Sequence, residues 1–233
     1  MTTMLEELDE LLFEAGRRSP AYRRLKKPIF HICSLEYSGR VRGTGVLVGP
    51  RTVLTAGSVV HDLEENLLNP LSMTVRAGID SPLNDAKAVK LLPYPGYARR
   101  TRTDLAIVRL DKLLGRSFGY WTAPIGTTAF EDAQLPIVDD QPTLSLAGYP
   151  SPTRRSQYRL DSVGFTRSEG LINYARHKFK LRGHVGSPVW TPHTTRDVNI
   201  LIGIHFGAAA GKTASRAAAI EDDVVKFIDA NKA

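Results

Sequence analysis

From Pro28 to about residue 210 the chain alternates short apolar runs with Gly, Pro, Asn and Asp. IFHICSLEY, GVLVG, TVLTA, MTVRAG, AVKLLPY and LAIVRL come first, then TLSLAGY, YRLDSVGFT, LINYARHKF, SPVWT and NILIGIHFG. Short runs rich in β-branched and aromatic residues, bounded by turn-formers, read as strands. Many of them in succession, with no helix-length pattern between, predict an all-β sandwich or a pair of barrels and exclude a parallel α/β sheet.

The two ends follow a different period. Thr3-Met4-Leu5-Glu6 fits a capping box, and Leu5, Leu8, Leu11 and Leu12 recur at helical spacing until Gly16. Arg17, Arg18, Arg23, Arg24, Lys26 and Lys27 then crowd around Pro20 and read as a basic linker. At the other end, EDDVVKFIDANKA sets Val224, Phe227 and Ile228 on one stripe with acids in the first turn, which predicts a closing helix. The expected division is residues 1–27 as helix and linker, 28–125 as a first unit and 126–233 as a second.

Composition narrows the function. With 233 residues, 42% apolar and 24% charged, the chain can bury a core of one or two lobes. Its net charge of +7 favours acidic partners. Cys33 is the only cysteine, so neither an intramolecular disulfide nor a four-cysteine zinc site is possible. The histidines His31, His61, His177, His184, His193 and His205 lack zinc-site spacing, and no P-loop follows the glycines of residues 39–49, so no metal or other cofactor is expected. No apolar run spans a membrane, and the acidic start is unlike a secretory leader; if Met1 is the native start, the expected location is the cytoplasm. The basic runs, including Arg99-Arg100-Thr101-Arg102 and Arg154-Arg155, lack interleaved aromatics and read as solvated loops, with a nucleic-acid scaffold as the lesser reading.

Three stretches carry the chemistry. The first runs Gly43-Thr44-Gly45-Val46-Leu47-Val48-Gly49 into Val53-Leu54-Thr55-Ala56-Gly57-Ser58, and the second is Thr103-Asp104-Leu105-Ala106. The third is Gly183-His184-Val185-Gly186-Ser187-Pro188, followed by Gly203-Ile204-His205-Phe206-Gly207, with Gly148-Tyr149-Pro150 upstream. In order and spacing these resemble the trypsin-like serine proteases, and within them the V8-type glutamyl endopeptidases. The resemblance covers roughly residues 28–230 and implies two six-stranded antiparallel β-barrels, chymotrypsin-like, with the site in the cleft between them.

Carried over residue by residue, the resemblance implies that Asp104 stands at the place of the triad aspartate. Ser58 occupies the histidine position, and serine has no group that titrates near neutrality to act as a base. Val185 occupies the nucleophile position and has nothing to attack with. His61, three residues after Ser58, and Ser187, after Gly186, are the displaced candidates for base and nucleophile. Gly183 and Val185 fall where the family's backbone donors form the oxyanion hole, and such donors do not need the lost hydroxyl. Lys180, His205 and Gly203 fall at the specificity pocket, where Lys180 and His205 would suit an acidic side chain or a terminal carboxylate. The expected function is a catalytically inactive protease homologue that acts as a binding or regulatory module towards a protein or peptide, with acidic peptide groups as the expected ligands. A serine endopeptidase with a displaced catalytic set is the second reading.

Overall fold

The computed structural model describes residues 22–25, 29–78, 84–126, 128, 137–138, 141–150, 157–175, 182–192, 198–208 and 214–232. The expected N-terminal helix, together with Lys180, lies outside the described residues.

Six strands close the first barrel: β2 (Ile32–Tyr37), β3 (Arg40–Gly49), β4 (Thr52–Thr55), β5 (Met73–Ala77), β6 (Asp85–Pro93) and β7 (Ala106–Leu110). They pair antiparallel in the order β2-β3-β4-β7-β6-β5, and β5 returns to β2. Alternation sets the inward face: in β5, Met73, Val75 and Ala77 are buried while Thr74 and Arg76 are half-buried. Ile32, Leu35, Leu47, Leu54 and Ile107 fill the middle.

The second barrel is built from β9 (Gln141–Gly148), β10 (Tyr158–Ser168), β11 (Leu171–Ala175), β12 (Pro188–Pro192), β13 (Asn199–Ala208) and β14 (Ala214–Ala219). The order β10-β11-β14-β13-β12-β9 closes because β9 also pairs with β10. The expected pair of six-stranded antiparallel barrels is therefore the observed architecture. Two short strands extend the second sheet, β1 (Tyr22–Arg24) on β10 and β8 (Ile137–Val138) on β9. Tyr22–Arg24 falls inside the stretch read as linker. Its ladder with Tyr158–Leu160 overrides a sequence whose arginines carry little strand signal.

Buried polar groups join the barrels. Tyr149 after β9 sends its hydroxyl towards the Ile32 and Gly78 carbonyls of the first barrel at 3.2 and 3.1 Å. The Gln157 amide oxygen accepts from the Ile29 N–H at 2.6 Å. The closing helix, which we label α3 (Asp222–Asn231), then crosses to the first barrel. Val224 and Ile228 are buried, the Tyr94 hydroxyl donates to Asp223 at 2.6 Å, and Arg109 donates to the Asn231 carbonyl at 2.8 Å. Sequence from the second half thus completes the first barrel's surface, fixing the barrels relative to one another.

Candidate functional site

The first-barrel side of the cleft is built on β4 and the short helix α1 (Gly57–Val60) that follows it. Gly57 opens the helix against the Tyr97 ring, where a Cβ would lie 2.4 Å from ring carbon, so only glycine fits. Ser58 comes next. Its backbone N–H donates to Asp104 Oδ1 at 2.7 Å, and the Arg100 N–H donates to Asp104 Oδ2 at 2.7 Å. Asp104 is fully buried, and burial raises its carboxyl above the ordinary carboxylate value, opposed by these two N–H donors. Asp104 therefore holds the helix start to the loop before β7, whether or not it has chemistry to do.

His61 closes the same helix. Its Nδ1 bonds the Gly57 carbonyl at 2.8 Å, and its ring lies flat on Tyr97 with centroids 4.1 Å apart. The ring is thus engaged by its own turn and by an aromatic stack. Arg42 of β3 donates Nε to the Val59 carbonyl at 2.7 Å and also bonds the His61 carbonyl. A cation at these C-terminal carbonyls is where the helix dipole favours one.

The second-barrel side is a 3₁₀ turn, Arg182–His184, leading through Val185 and Gly186 into β12. Gly183 is wedged against the Tyr149 carbonyl, since a Cβ there would lie 1.8 Å from that oxygen. Gly186 has φ +88°, a left-handed backbone that disfavours other residues, and its N–H donates to the His205 carbonyl at 2.7 Å. Val185 is partly exposed, and its carbonyl accepts from the Thr44 N–H at 2.8 Å. Gly43 fixes the closeness of the two sides. A Cβ there would lie 2.6 Å from Val59 and 2.7 Å from the Val185 oxygen. Ser58 and Asp104 are thus bonded directly, and Val185 meets the first barrel through Thr44 and Gly43, the latter packed on Val59 of the same short helix.

Ser187 is fully buried, and its Oγ lies 3.2 Å from His184 Nδ1. Gly148 seals this pair, because a Cβ there would stand 2.1 Å from Ser187 Oγ and 2.8 Å from His184 Nδ1. Burial, with nearby His205 second, lowers His184 to about 3, so the imidazole is neutral at physiological pH.

His205 on β13 shares a hydrogen bond from Nδ1 to the Tyr174 hydroxyl at 2.5 Å. Burial lowers its pKa to about 4, against a smaller opposing effect from the Arg216 backbone. His205 is therefore neutral near pH 7, and the positive pocket expected from Lys180 with His205 has no charge from the histidine. Gly203 faces inward: a Cβ would meet Ile172 Cδ1 at 2.7 Å and the Ala218 oxygen at 2.8 Å. Ile172 and Tyr174 of β11 thus fill the space beside Gly203 and His205. Among the described residues no three His, Cys, Asp or Glu side chains group as a metal site, and no helix is long and apolar enough to cross a membrane.

Sequence reasoning missed Thr44. Its Oγ1 donates to the Gly183 carbonyl at 2.7 Å and accepts from the Tyr149 N–H at 3.0 Å, while its own carbonyl accepts from Thr55 Oγ1 at 2.6 Å. The one signal was position, a hydroxyl residue between two glycines that let the other barrel approach.

Comparison with known proteins agrees with this architecture. The Trypsin family model matches residues 25–220. A glutamyl endopeptidase of Staphylococcus epidermidis strain RP62A is 27% identical over 198 residues, which cover 84% of this chain and 64% of the relative. A second one from the same species is 27% identical over 196 residues, 83% of this chain and 63% of that protein. The chain thus spans a little under two thirds of these relatives' length. A solved Glu endopeptidase in complex with MPD superposes with a TM-score of 0.70 at 18% identity, covering 92% of this chain and 98% of that one. With the barrels and the family match in agreement, the chain belongs to the trypsin family.

Proposed function

We propose that this chain is a catalytically inactive member of the trypsin family that works as a binding module for a protein or peptide, with acidic groups as its ligands. One observation carries the reading. Ser58, whose N–H bonds Asp104, and Val185 are the residues that the resemblance puts in the base and nucleophile positions. Triad members act as a unit, so loss of base or nucleophile alone removes roughly a million-fold in turnover. The backbone donors that the resemblance places at Gly183 and Val185 do not depend on the replaced side chains, and such donors suit a carbonyl or carboxylate oxygen. The preference for acidic groups rests on Lys180, since His205 is neutral, and on the chain's net charge of +7.

A fluorophosphonate probe and a glutamyl peptide substrate, both offered to the full chain, test the inactivity. We expect no covalent adduct and no cleavage; an adduct on Ser187 or Ser58 would make the protein a working hydrolase. Titration with a peptide ending in Glu, against its Gln amide counterpart, tests the ligand class. The carboxylate form should bind about tenfold tighter, a difference of about 1.4 kcal/mol. Lys180→Ala should erase it. Equal binding of the two peptides to the unaltered chain overturns the acidic-ligand assignment.

The displaced hydrolase has one observation in its favour, the 3.2 Å approach of His184 to Ser187 Oγ. Access opposes it: Ser187 is 0% exposed and His184 is 5% exposed, with Gly148 packed over both. A nucleophile must come within bonding reach of a substrate carbonyl, and this hydroxyl faces protein.

A further inference from the structure

Away from the cleft, a groove of about 460 Å³ runs between α3 and the first barrel, a size typical of sites that accept ligands. Val48 and Pro50 at the end of β3, Ile125 in the connection between barrels, and Val225 and Ile228 of α3 supply apolar walls, with Tyr120 among the lining residues. Tyr120 is 38% exposed, an uncovered aromatic beside an apolar trough. Next to it, Phe118 stacks on the 48%-exposed Phe30 with centroids 6.3 Å apart, extending the apolar surface.

The lining itself carries one acid and one cation, Asp229 and Lys232, and two exposed arginines adjoin it along the chain. Exposed Arg51 follows Pro50 in the wall. Exposed Arg116 stands on the short helix α2 (Leu114–Phe118), whose Gly115 N–H donates to the Pro50 carbonyl at 2.9 Å. Lys232 lines the groove at the end of α3, beside its own Asp229 at 2.8 Å.

The same chain contains a segment of the complementary kind. Residues 1–14 hold Glu6, Glu7, Asp9, Glu10 and Glu14 and no lysine or arginine, a charge of −5, whereas residues 15–233 carry 31 cations against 19 acids, or +12. The acids alternate with the stripe of Leu5, Leu8, Leu11 and Leu12, which cannot be stable while wet. As a helix, residues 4–15 would be about 18 Å long, and residues 16–21 add about 20 Å of extended chain. From Tyr22, held on β10, eight residues lead to Phe30 at the groove's aromatic flank, a span of at most about 29 Å. The groove is within reach.

We infer that the N-terminal leucine stripe, Leu5 to Leu12, docks in cis into the groove between α3 and the first barrel, with its acids facing Arg51, Arg116 and Lys232. This inference is independent of what the cleft binds. Cysteine cross-linking in the full chain tests it, because the only native thiol, Cys33, is buried and its pKa is pushed up, leaving it unreactive. On mild oxidation, Leu8→Cys combined with Tyr120→Cys should form an intramolecular disulfide at least about tenfold faster than Leu8→Cys combined with Leu63→Cys on the exposed loop after α1. Added salt should slow the first pair by screening the rim charges. Equal rates for the two pairs, or disulfide-linked dimers in place of the intramolecular product, would overturn the inference. As a second measurement, Leu8→Asp with Leu12→Asp should speed amide exchange several-fold at residues 120–125 and 225–231, and unchanged exchange there would also overturn it.

Discussion

The hydroxyl of Thr44, on a strand of the first barrel, donates to the carbonyl of Gly183, on the turn that opens the second, at 2.7 Å. The adjacent backbone N–H of Thr44 donates to the Val185 carbonyl at 2.8 Å. One residue therefore grips both ends of the segment in which the family places its nucleophile and oxyanion donors. The turn is held by these bonds from Thr44 and by backbone contacts, and the Val185 side chain packs partly buried against the core. That explains how a valine there coexists with an otherwise ordered cleft.

Thr44→Val keeps the shape and removes the hydroxyl. The Gly183 carbonyl loses its donor and the Tyr149 N–H its acceptor, both in buried surroundings. An unsatisfied buried group costs about 1–3 kcal/mol, so the substitution should destabilise the protein by roughly 2–6 kcal/mol. Urea unfolding would measure it, and a loss under about 0.5 kcal/mol would show that the turn is held by other contacts.

Asp104→Ala should be at least as damaging, for a reason unrelated to catalysis. It strips the acceptor from the N–H groups of Ser58 and Arg100, with an expected loss of roughly 2–6 kcal/mol. The pH dependence has a definite sign. Burial raises the folded-state value above 3.8, so this residue's contribution is fully present below 3.8 and declines as pH rises through the folded value. Comparing unfolding of wild type and Asp104→Asn across the acid range would reveal this difference, and parallel curves would refute it.

Much of the fold could be read from periodicity. Each of the eleven apolar runs contains or overlaps one strand, and Val224 and Ile228 of the closing helix are buried as their stripe required. Besides the short β1 and β8, the strand that escaped is β14, Ala214–Ala219, whose Ala-Ser-Arg-Ala-Ala-Ala has no β-branched or aromatic residue. It is a strand because β11 and β13 pair with it on both sides, and it is small where Gly203 and Ile172 leave little room. At the site, the pairing of Ser58 with Asp104 agrees with the motif order. Three other features have no such signal. Thr44's side-chain links to the second barrel, the seal of Gly148 over Ser187, and Tyr174 against His205 are contacts between residues 31 to 139 apart in sequence, which no local pattern records.

The buried histidines should make the protein acid-sensitive. His184 and His205 are held neutral, with values lowered by burial to about 3 and about 4 from an ordinary 6.5. The unfolded chain binds protons near pH 6.5 that the folded one refuses. Stability is therefore full above that value and declines as pH falls towards 4 and then 3. With both groups out of balance, the slope between about pH 6 and 4.5 should be roughly 2–3 kcal/mol per pH unit. His184→Gln should halve it; an unchanged slope in that variant would assign the acid sensitivity elsewhere.

If the cleft is a protease site lacking only its side-chain chemistry, rebuilding both positions should restore reactivity and rebuilding one should not. Ser58→His puts an imidazole on the residue whose N–H already bonds Asp104, so the carboxylate is in place to orient the ring. Val185→Ser puts a hydroxyl after a turn already fixed by Thr44 and Gly186. Neither single variant has both a nucleophile and its base, and triad members do not contribute additively. The double variant should therefore react with a fluorophosphonate at least about tenfold faster than either single one, with the adduct on residue 185, and a double variant as inert as its parents would mean that Ile172, Tyr174 and the sealed His184 block the cleft, so that its loss of function reaches beyond the two replaced side chains.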